Sequence, residues 1–488
     1  MSASQNRLKV AILGDFSGRA SRGLCEPESI SQRPSHRVRK DNFETLFERM
    51  GVAIKLPVSE APIALLEFDD LHPDFLYHRL ALFQEFIKLE KQLLDPARYA
   101  DAVAEIQQWD TGIQSQSALQ PESSAAQSML DAILSGNGYS ADDLAAGRQQ
   151  AGQGSAAAGI QVDRLIKDIV APYVQAKPAQ DQSVYLNAVN EAASEAMRKI
   201  MHHSDFRHLE ASWRSLHLLL RRLDDHPGLE LHLIDVTKDE IFADFVQAED
   251  DLEQSQLFKR LVQQESVAGD MPFNLILGDF YIRDDERDLH GLIDLATIAE
   301  AAGSAVILGG DNRLAGCTSL AGSLDPEDWQ YQPSEDFERA WQAIREFSGS
   351  RHLALAAPRF MLRLPFGADT ARTESFDFEE LTEDLGHQYY LWGNSAYLVL
   401  LSLCQKYTET GSVQLVTSGQ FTDLPLHLRK RPQGTWLTPC AEALLSDQGA
   451  ARFTERGLST LRSVADRDQI LLPRLQSLAG TWLAGPWA

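Results

Sequence analysis

The feature that most constrains the fold is an alternation of apolar runs and amphipathic segments across the middle of the chain. Apolar runs at 229–236, 273–277 and 305–308 have the length and composition of buried strands. Apolar residues recur at helical spacing between them, at 239–245 and 289–302. Because strands that alternate with helices build parallel sheets, this pattern predicts an α/β fold with a largely parallel sheet and covering helices.

The first 109 residues predict a smaller α/β unit of their own. Strands are expected at 8–13, 52–56 and 63–68, followed by a helix that begins after Pro73 and stops at Asp95-Pro96. The end of the first strand, Leu13-Gly14-Asp15-Phe16, recurs as Leu277-Gly278-Asp279-Phe280. Two related units or a shared strand-ending turn both explain this repeat.

Residues 110–159 are rich in Ser, Ala, Gln and Gly, which predicts a flexible linker between the two units. A short amphipathic helix is expected within it, with Met129, Leu130, Ile133 and Leu134 on one face. The second unit, 160–488, is expected to begin with a long helical region to 223, broken near Pro178 and Ser204. Further predictions are strands at 353–356 and 411–417 and a helix at 389–407.

Composition excludes several classes of function. The 488 residues carry a formal charge of −25, which disfavours nucleic-acid binding. The four cysteines have no C-x-x-C spacing, so neither a disulfide framework nor a zinc site is predicted. The N-terminus does not resemble a signal peptide, and the longest apolar stretch, 397–404, is too short to span a bilayer. We therefore expect a cytoplasmic protein without membrane insertion.

Candidate reactive groups are few, and no catalytic, cofactor-binding or metal site is predicted. Nucleotide-binding glycine loops are absent. A minor alternative is a serine hydrolase that uses Ser17 with Asp69 and His72, but Phe16 stands where the nucleophile motif needs the serine.

Two further clusters of polar residues have structural interpretations. His202, His203, Asp205 and His208 lie where one helix ends and the next begins, so helix capping is favoured over metal binding. The acidic run that contains Glu379, Glu380 and Glu383 is typical of a solvated face rather than of catalytic carboxylates. Clusters of aromatic residues and arginines are instead typical of protein interfaces, although the same residues are also common in ordinary cores.

Several motifs, in the same order over some three hundred residues, resemble the large subunit of type VI secretion contractile sheaths. The resemblance is carried by segments 202–217, 275–280, 358–367, 378–380 and 387–397. Its matching residues are Leu209, Glu210, Trp213, Arg214, Gly278, Asp279, Pro358, Arg359, Arg363, Pro365, Gly367, Glu380, Trp392, Gly393 and Asn394.

The N-terminal unit resembles the separate small subunit of the same sheaths. The matching segments are 13–18, with Gly14 and Asp15, then 38–43, with Asn42 and Phe43, and 68–74. The helix at 128–134 resembles the one by which a ring-shaped unfoldase ATPase recycles contracted sheath, which would make Met129, Leu130, Ile133 and Leu134 its handle.

The resemblance implies a fusion of small and large sheath subunits, a structural protein and not an enzyme. Its expected partners are further copies of itself in rings or a sheath, the inner tube protein, the baseplate and the unfoldase. The strands that family members lend to neighbouring protomers have no counterpart at either end of this sequence. A non-contracting adaptor or cap of the secretion apparatus is therefore the alternative function.

Overall fold

The computed structural model describes residues 7–114, 182–249, 251–267, 271–322, 325–382, 385–431 and 434–487. Its strands are β1 (Leu8–Gly14), β2 (His36–Val38), β3 (Ala53–Ile54), β4 (Ile63–Ala64), β5 (Leu229–Asp235), β6 (Leu275–Ile282), β7 (Ala305–Gly310), β8 (Leu353–Ala357), β9 (Phe360–Met361), β10 (Trp392–Gly393), β11 (Gly419–Phe421), β12 (His427–Arg431), β13 (Gly434–Thr438), β14 (Leu458–Thr460), β15 (Arg462–Ser463) and β16 (Ile470–Leu472).

The main α-helices are α1 (Phe43–Met50), α2 (Pro73–Arg79), α3 (Ala81–Leu94), α4 (Tyr99–Gln114), α5 (Gln182–Met201), α6 (Ser204–Arg222), α7 (Lys238–Ala248), α8 (Glu286–Ala302), α9 (Glu335–Glu346), α10 (Ala396–Thr410) and α11 (Asp447–Glu455). Short helical turns at Gln256–Phe258, Lys259–Gln263 and Gln264–Val267 connect α7 to β6.

A seven-stranded sheet in the order β14-β8-β7-β6-β1-β5-β2 forms the centre of the molecule. Every neighbouring pair in it is parallel except β2 with β5. The prediction of a largely parallel sheet with covering helices is therefore confirmed.

The prediction of two separate α/β units is wrong for the sheet, because strands from both parts of the chain share it. β1 pairs with β5 along its whole length, from Leu8 opposite Leu229 to Gly14 opposite Asp235. Its other edge pairs with β6. All seven residues of β1 are buried, and a strand of this kind needs hydrogen-bond partners on both edges. A sheet centre supplies both.

The alternation of side chains along the strands divides the interior into two cores. Val10 and Ile12 of β1 lie in one core, which helices α1, α3, α5, α6 and α10 cover. Ala11 and Leu13 lie in the other, which helices α7, α8, α9 and α11 cover. Both faces of the sheet are thus buried, so the apolar runs in its strands are continuous rather than alternating.

The helices expected at 239–245 and 289–302 are present as α7 and α8, and the break expected near Ser204 lies between α5 and α6. The helix expected at 389–407 begins only at Ala396, because Trp392–Gly393 pairs with Phe360–Met361 instead. The strand expected at 411–417 is wrong, since the chain there has no ladder partner and β11 follows at Gly419.

The predicted helix stop at Asp95-Pro96 is confirmed by the end of α3 at Leu94, but a further helix, α4, follows it and runs past residue 109, where the first unit was expected to end. The rest of the expected linker, including Met129, Leu130, Ile133 and Leu134, lies outside the described residues, as does the chain around Pro178. Among the described helices, none combines the length and the apolar character that a bilayer crossing requires.

Candidate functional site

The two Leu-Gly-Asp-Phe motifs lie side by side in the sheet. Leu13 of β1 is the register partner of Gly278 of β6. A Cβ atom added to Gly14 would lie 3.1 Å from the Cβ of Asp279 and 2.8 Å from the ring of Phe16. The glycine therefore permits a close approach between the end of β1 and β6. At this point the N-terminal segment packs against the rest of the chain.

Asp279 is the buried centre of the contacts between β6 and the start of α10. The Tyr397 hydroxyl donates to its Oδ2 at 3.1 Å, and Asn394 Nδ2 lies 3.5 Å from its Oδ1. The same amide nitrogen donates to the carbonyl of Phe280 at 3.3 Å. Burial raises the pKa of Asp279, which reflects the cost of a carboxylate in this interior. The motif around Asn394 therefore anchors α10 to the sheet.

Trp213 of α6 joins the N-terminal segment to the helical layer. It is fully buried, and its Nε1 donates to the carbonyl of Phe16 at 2.8 Å. The rings of Phe16 and Phe43 meet it edge-on, with centroids 5.5 Å and 5.7 Å away. Asn42 positions Phe43 by accepting a hydrogen bond from the backbone N–H of Arg39 at 2.8 Å. Three motif-bearing segments of the sequence, 13–18, 38–43 and 202–217, thus meet at one indole.

Arg363 lies at the centre of a buried ion-pair network between two carboxylates. Its Nε donates to Glu210 at 2.7 Å and its Nη1 to Glu380 at 2.6 Å. Arg214 donates to the same oxygen of Glu210 at 2.6 Å. Burial acts to raise the pKa of Glu210, but Arg363 and Arg214 together hold it below its ordinary value. The network joins α6 to segments 358–367 and 378–380.

The acidic residues of segment 378–380 have structural partners. Glu380 accepts a hydrogen bond from the backbone N–H of Phe366 at 2.8 Å, and Glu379 accepts one from Ala368 at 2.8 Å. A Cβ added to Gly367 would lie 2.3 Å from the Glu379 carboxylate. Glu380 is buried rather than on the expected solvated face. Glu383 lies outside the described residues.

A second ion pair, between Arg359 and Glu442, supports the aromatic motif. Asn312 Nδ2 donates to the same Glu442 carboxylate at 3.0 Å. The guanidinium of Arg359 lies 6.0 Å from the centroid of the Trp392 ring. Trp392 Nε1 in turn donates to the carbonyl of His387 at 3.0 Å. The hydroxyl of Ser395 donates to the carbonyl of Pro358, which closes this set of contacts.

A third cluster, which sequence reasoning missed, attaches the N-terminal loop to the start of helix α7 through Glu240. Arg19 and Arg33 donate to Glu240 Oε1 at 2.8 Å and 2.7 Å. Burial raises the pKa of Glu240, but hydrogen bonds from Arg33 and Arg19 outweigh it and lower the pKa to about 2. The only local signal was the Thr237-x-x-Glu240 capping box at the start of α7.

The Ser17 hydrolase arrangement is not assembled. Ser17 is buried, and its hydroxyl donates to Asp235 Oδ2 at 2.7 Å while it accepts a hydrogen bond from Arg22 at 3.1 Å. His72 instead caps α2 by accepting the Asp74 backbone N–H at 3.2 Å. Neither His72 nor Asp69 is a partner of the Ser17 hydroxyl, so the predicted Ser-His-Asp arrangement is not formed.

The histidines at the junction of α5 and α6 also have structural roles. His203 caps α6 by accepting the backbone N–H of Asp205 at 3.3 Å. His202 packs on the Tyr389 ring at 4.6 Å, and burial and then Arg207 lower its pKa to about 3. Within the described parts of the chain, no three His, Cys, Asp or Glu side chains are grouped to hold a metal ion.

These buried networks connect elements of the fold that are far apart in the sequence. A family model described as EvpB/VC_A0108, tail sheath N-terminal domain (VipB), matches residues 183–479, which is more than half of the chain. The chain belongs to this family of structural, non-enzymatic sheath proteins, and the hydrolase alternative is thereby excluded. The resemblance to the large subunit of type VI secretion sheaths is confirmed over those residues.

The chain is also similar to one individual sheath protein. The type VI secretion system sheath protein TssC1 of Pseudomonas aeruginosa is 28% identical over 286 residues, which cover 57% of this chain and 57% of TssC1. The chain therefore spans less than two thirds of the length of that relative.

Proposed function

We propose that this chain is a protomer of a type VI secretion contractile sheath in which the small and large subunits are fused. Residues 1–109 correspond to the small subunit, 110–159 to the connection and 160–488 to the large subunit. The protomer assembles with further copies around an inner tube on a baseplate, and contraction of the assembly ejects the tube.

The position of β1 is the observation that carries this proposal. β1 lies between β5 and β6, both of which belong to the part of the chain that matches the sheath family. A segment that fills the middle of another subunit's sheet behaves as an obligate partner. The covalent connection raises the effective concentration of the two parts to roughly the millimolar range. Fusion therefore makes the pairing of the two parts independent of protein concentration.

The proposed work comes from packing between protomers and not from chemistry. The buried ion pairs of Glu210, Glu240 and Glu442 hold each protomer rigid. A displacement at the surface of one protomer therefore moves the neighbouring protomer and does not deform the interior. Met129, Leu130, Ile133 and Leu134 complete the proposal as the handle for an unfoldase ATPase, which would recycle contracted sheath.

Electron microscopy of the purified full chain tests this function. Long helical tubes with a central channel support a sheath protomer. Discrete rings that do not extend at any concentration support the adaptor or cap, and a protein that stays monomeric at high concentration contradicts both.

Expression of the chain as two pieces tests the fusion. Residues 1–114 and 182–488 are produced together, each with a different affinity tag. Copurification as a 1:1 complex with the melting temperature near that of the full chain is expected, because β1 then fills the same position. The matched control is the Ile12→Asp variant of the shorter piece, which places a charge in the core. Two pieces that fold separately and do not associate would contradict the fusion.

A further inference from the structure

A turn near the end of the chain exposes a tryptophan with an arginine stacked on its ring. Trp482 is 57% exposed. The guanidinium of Arg474 lies 5.6 Å from the centroid of the Trp482 ring, and it also donates to the carbonyl of Gly480 at 3.1 Å. Because the cation contacts the ring itself, a partner meets the apolar side chain and the positive charge at one place. We call Trp482 and Arg474 the knob.

Hydrogen bonds hold the turn that carries the knob in one conformation. The backbone N–H of Ser477 donates to the carbonyl of Thr481 at 2.9 Å, and the hydroxyls of these two residues are 3.0 Å apart. The backbone N–H of Leu478 donates to the carbonyl of Leu353 at 2.8 Å, which attaches the turn to the start of β8. A preorganised element of this kind loses little conformational entropy when it binds a partner.

The knob is positively charged, and a second arginine lies against the same turn. Arg345, in the last turn of α9, donates to the carbonyl of Leu478 at 3.1 Å. Within the described residues, neither Arg345 nor Arg474 has a carboxylate as an ion-pair partner. The chain as a whole has a formal charge of −25, so a site with two such cations favours an acidic surface on a partner.

A groove of complementary character lies between α8 and α9, with a volume of about 780 Å³. Its floor is apolar and includes Leu289, Phe337 and Ile344, all of which are buried. Ala343 and Phe347 are among the residues that line its walls. An apolar floor between two helices is suited to a large apolar side chain.

The rim of the groove is acidic. Asp284, Glu286 and Asp336 border it, together with His290, and no lysine or arginine is among the described residues that line it. Asp336 pairs with Arg339 on the same helix. Asp284 and Glu286 have no ion-pair partner in the described parts of the chain. The groove thus combines an apolar floor with unpaired negative charge, as the knob combines an apolar ring with unpaired positive charge.

The knob and the rim lie at opposite ends of the same helices. Asp284 and Glu286 are at the N-terminal end of α8, and Asp336 is at the N-terminal end of α9. Arg345 instead holds the turn of the knob at the C-terminal end of α9. The 12 residues of α9 span about 18 Å. A second copy that is displaced along the axis of α9 therefore brings its knob to the rim of the first.

We propose that the knob of one copy of this chain docks in the α8–α9 groove of a second copy. Trp482 enters the apolar groove, and Arg474 faces Asp284 and Glu286. An aromatic side chain of this size buries roughly 150–250 Å², which is enough to act as a central anchor. The proposal rests on the proposed sheath function, for which it names one contact between protomers.

Because the knob and the groove are different surfaces, the contact is heterologous and does not close on itself in a dimer. A pair of copies joined in this way still offers one free knob and one free groove. Contacts of this type generate rings or helical tubes, according to the rotation between copies. The geometry is thus compatible with an extended assembly and incompatible with an isolated two-fold dimer.

Two variants and two matched controls test the contact. Trp482→Ala removes the anchor, and its control Trp436→Ala removes an equally exposed tryptophan, 57%, from β13. Ala343→Arg blocks the groove, and its control Gln342→Arg adds the same side chain to an exposed position of α9 that does not line the groove. Light scattering measures the concentration at which assembly begins. We expect both variants to raise it by roughly 30-fold or more, the scale of a central anchor residue, and both controls to leave it within about 3-fold.

Exchange of the charges tests which carboxylates the knob meets. Arg474→Glu and Glu286→Lys each place like charges opposite each other, and each should raise the concentration at which assembly begins by about tenfold. The variant that carries both changes restores an opposite pair, so it should return to within about 3-fold of the wild type. A combined variant that assembles no better than the single variants would contradict the pairing of Arg474 with this rim.

A mixing experiment distinguishes this contact from a symmetric one. Trp482→Ala has an intact groove and Ala343→Arg an intact knob, so the mixture should form a 1:1 complex, detected by mass photometry, that does not extend. No complex in the mixture, or variants that assemble as the wild type does, would overturn the knob contact while leaving the sheath function standing. A wild-type protein that never self-associates would overturn both.

Discussion

Replacement of Arg363 by methionine should be strongly destabilising, because it leaves Glu380 buried without its ion-pair partner and leaves Glu210 with Arg214 alone. The side chains of Glu210 and Glu380 are 0% and 3% exposed, and that of Arg363 is 11% exposed. Arg363 makes paired contacts to both, at 2.7 and 3.1 Å to Glu210 and at 2.6 and 3.0 Å to Glu380. Removing one partner of a buried ion pair costs roughly 3–5 kcal/mol. With two carboxylates affected, we expect the upper half of that range.

Chemical denaturation followed by tryptophan fluorescence measures the change in the free energy of unfolding. Arg339→Met is the matched control, because its pair with Asp336 is on the surface, with side chains 78% and 86% exposed. Surface pairs of this kind contribute at most about 1 kcal/mol. A loss below about 1.5 kcal/mol for Arg363→Met, or an equal loss in the control, would refute the view that the buried network is a strong constraint.

The unfolding free energies of the wild type and of Arg363→Met should depend differently on pH. Arg363 and Arg214 hold the folded-state pKa of Glu210 below its ordinary value of 4.5. A depressed pKa contributes stability that is present above pH 4.5 and is lost as the pH falls through the folded-state pKa. The variant keeps Arg214 but lacks Arg363, the larger of the two causes of the lowered pKa, so the difference in unfolding free energy should be largest near pH 7 and should shrink below about pH 4.5. A difference that stays constant down to pH 3 would contradict the assignment.

Three further predictions concern the N-terminal segment. Glu240→Ala should release the loop at 19–33 and increase its cleavage by trypsin about tenfold under native conditions, because it removes the buried carboxylate that both Arg19 and Arg33 contact. Ser17→Ala and the wild type should both lack esterase activity, and the variant should lose about 1 kcal/mol of stability with the hydrogen bond to Asp235; activity that depends on the serine would contradict this. Gly18→Ala should lower the melting temperature by several degrees, because its φ is +79° and the new Cβ would lie 2.3 Å from the carbonyl of Ala53. Gly23→Ala is the control, since its φ is also positive, at +67°, but the new Cβ would lie in open space. It should lower the melting temperature less than Gly18→Ala does.

Strands with continuous apolar runs were predictable from the sequence, because the residues of each run are themselves enough to indicate that the strand is buried on both faces. The runs at 229–236, 273–277 and 305–308 are β5, β6 and β7, and the helices between them confirmed the parallel arrangement. The failure at 389–395 has an equally physical explanation. Trp392 and Gly393 are apolar and adjoin a helix, but they pair with β9, and such pairing leaves no trace in the local periodicity.

The motif residues were predictable as a set, but their contacts were not. Arg363 is 153 residues from Glu210 and 17 from Glu380, so only the folded chain shows that the three form one network. Arg19 and Glu240 are 221 residues apart and were not linked by any pattern. Ion pairs between distant segments depend on the order of the strands in the sheet. That order could not be read from the sequence, which predicted two separate sheets instead of one shared sheet.

The place of β1 explains why the two parts of this chain cannot be independent. Without the N-terminal segment, β5 and β6 would each present an unpaired edge in the middle of the sheet, and Trp213 would lose the carbonyl and the ring of Phe16. Exposed strand edges of this kind pair with other chains. β1 must find partners about 220 and 265 residues away, so closing the sheet carries a large loop-closure cost. Joining the parts in one chain fixes their ratio at one to one, and every copy therefore carries the strand that completes its own sheet.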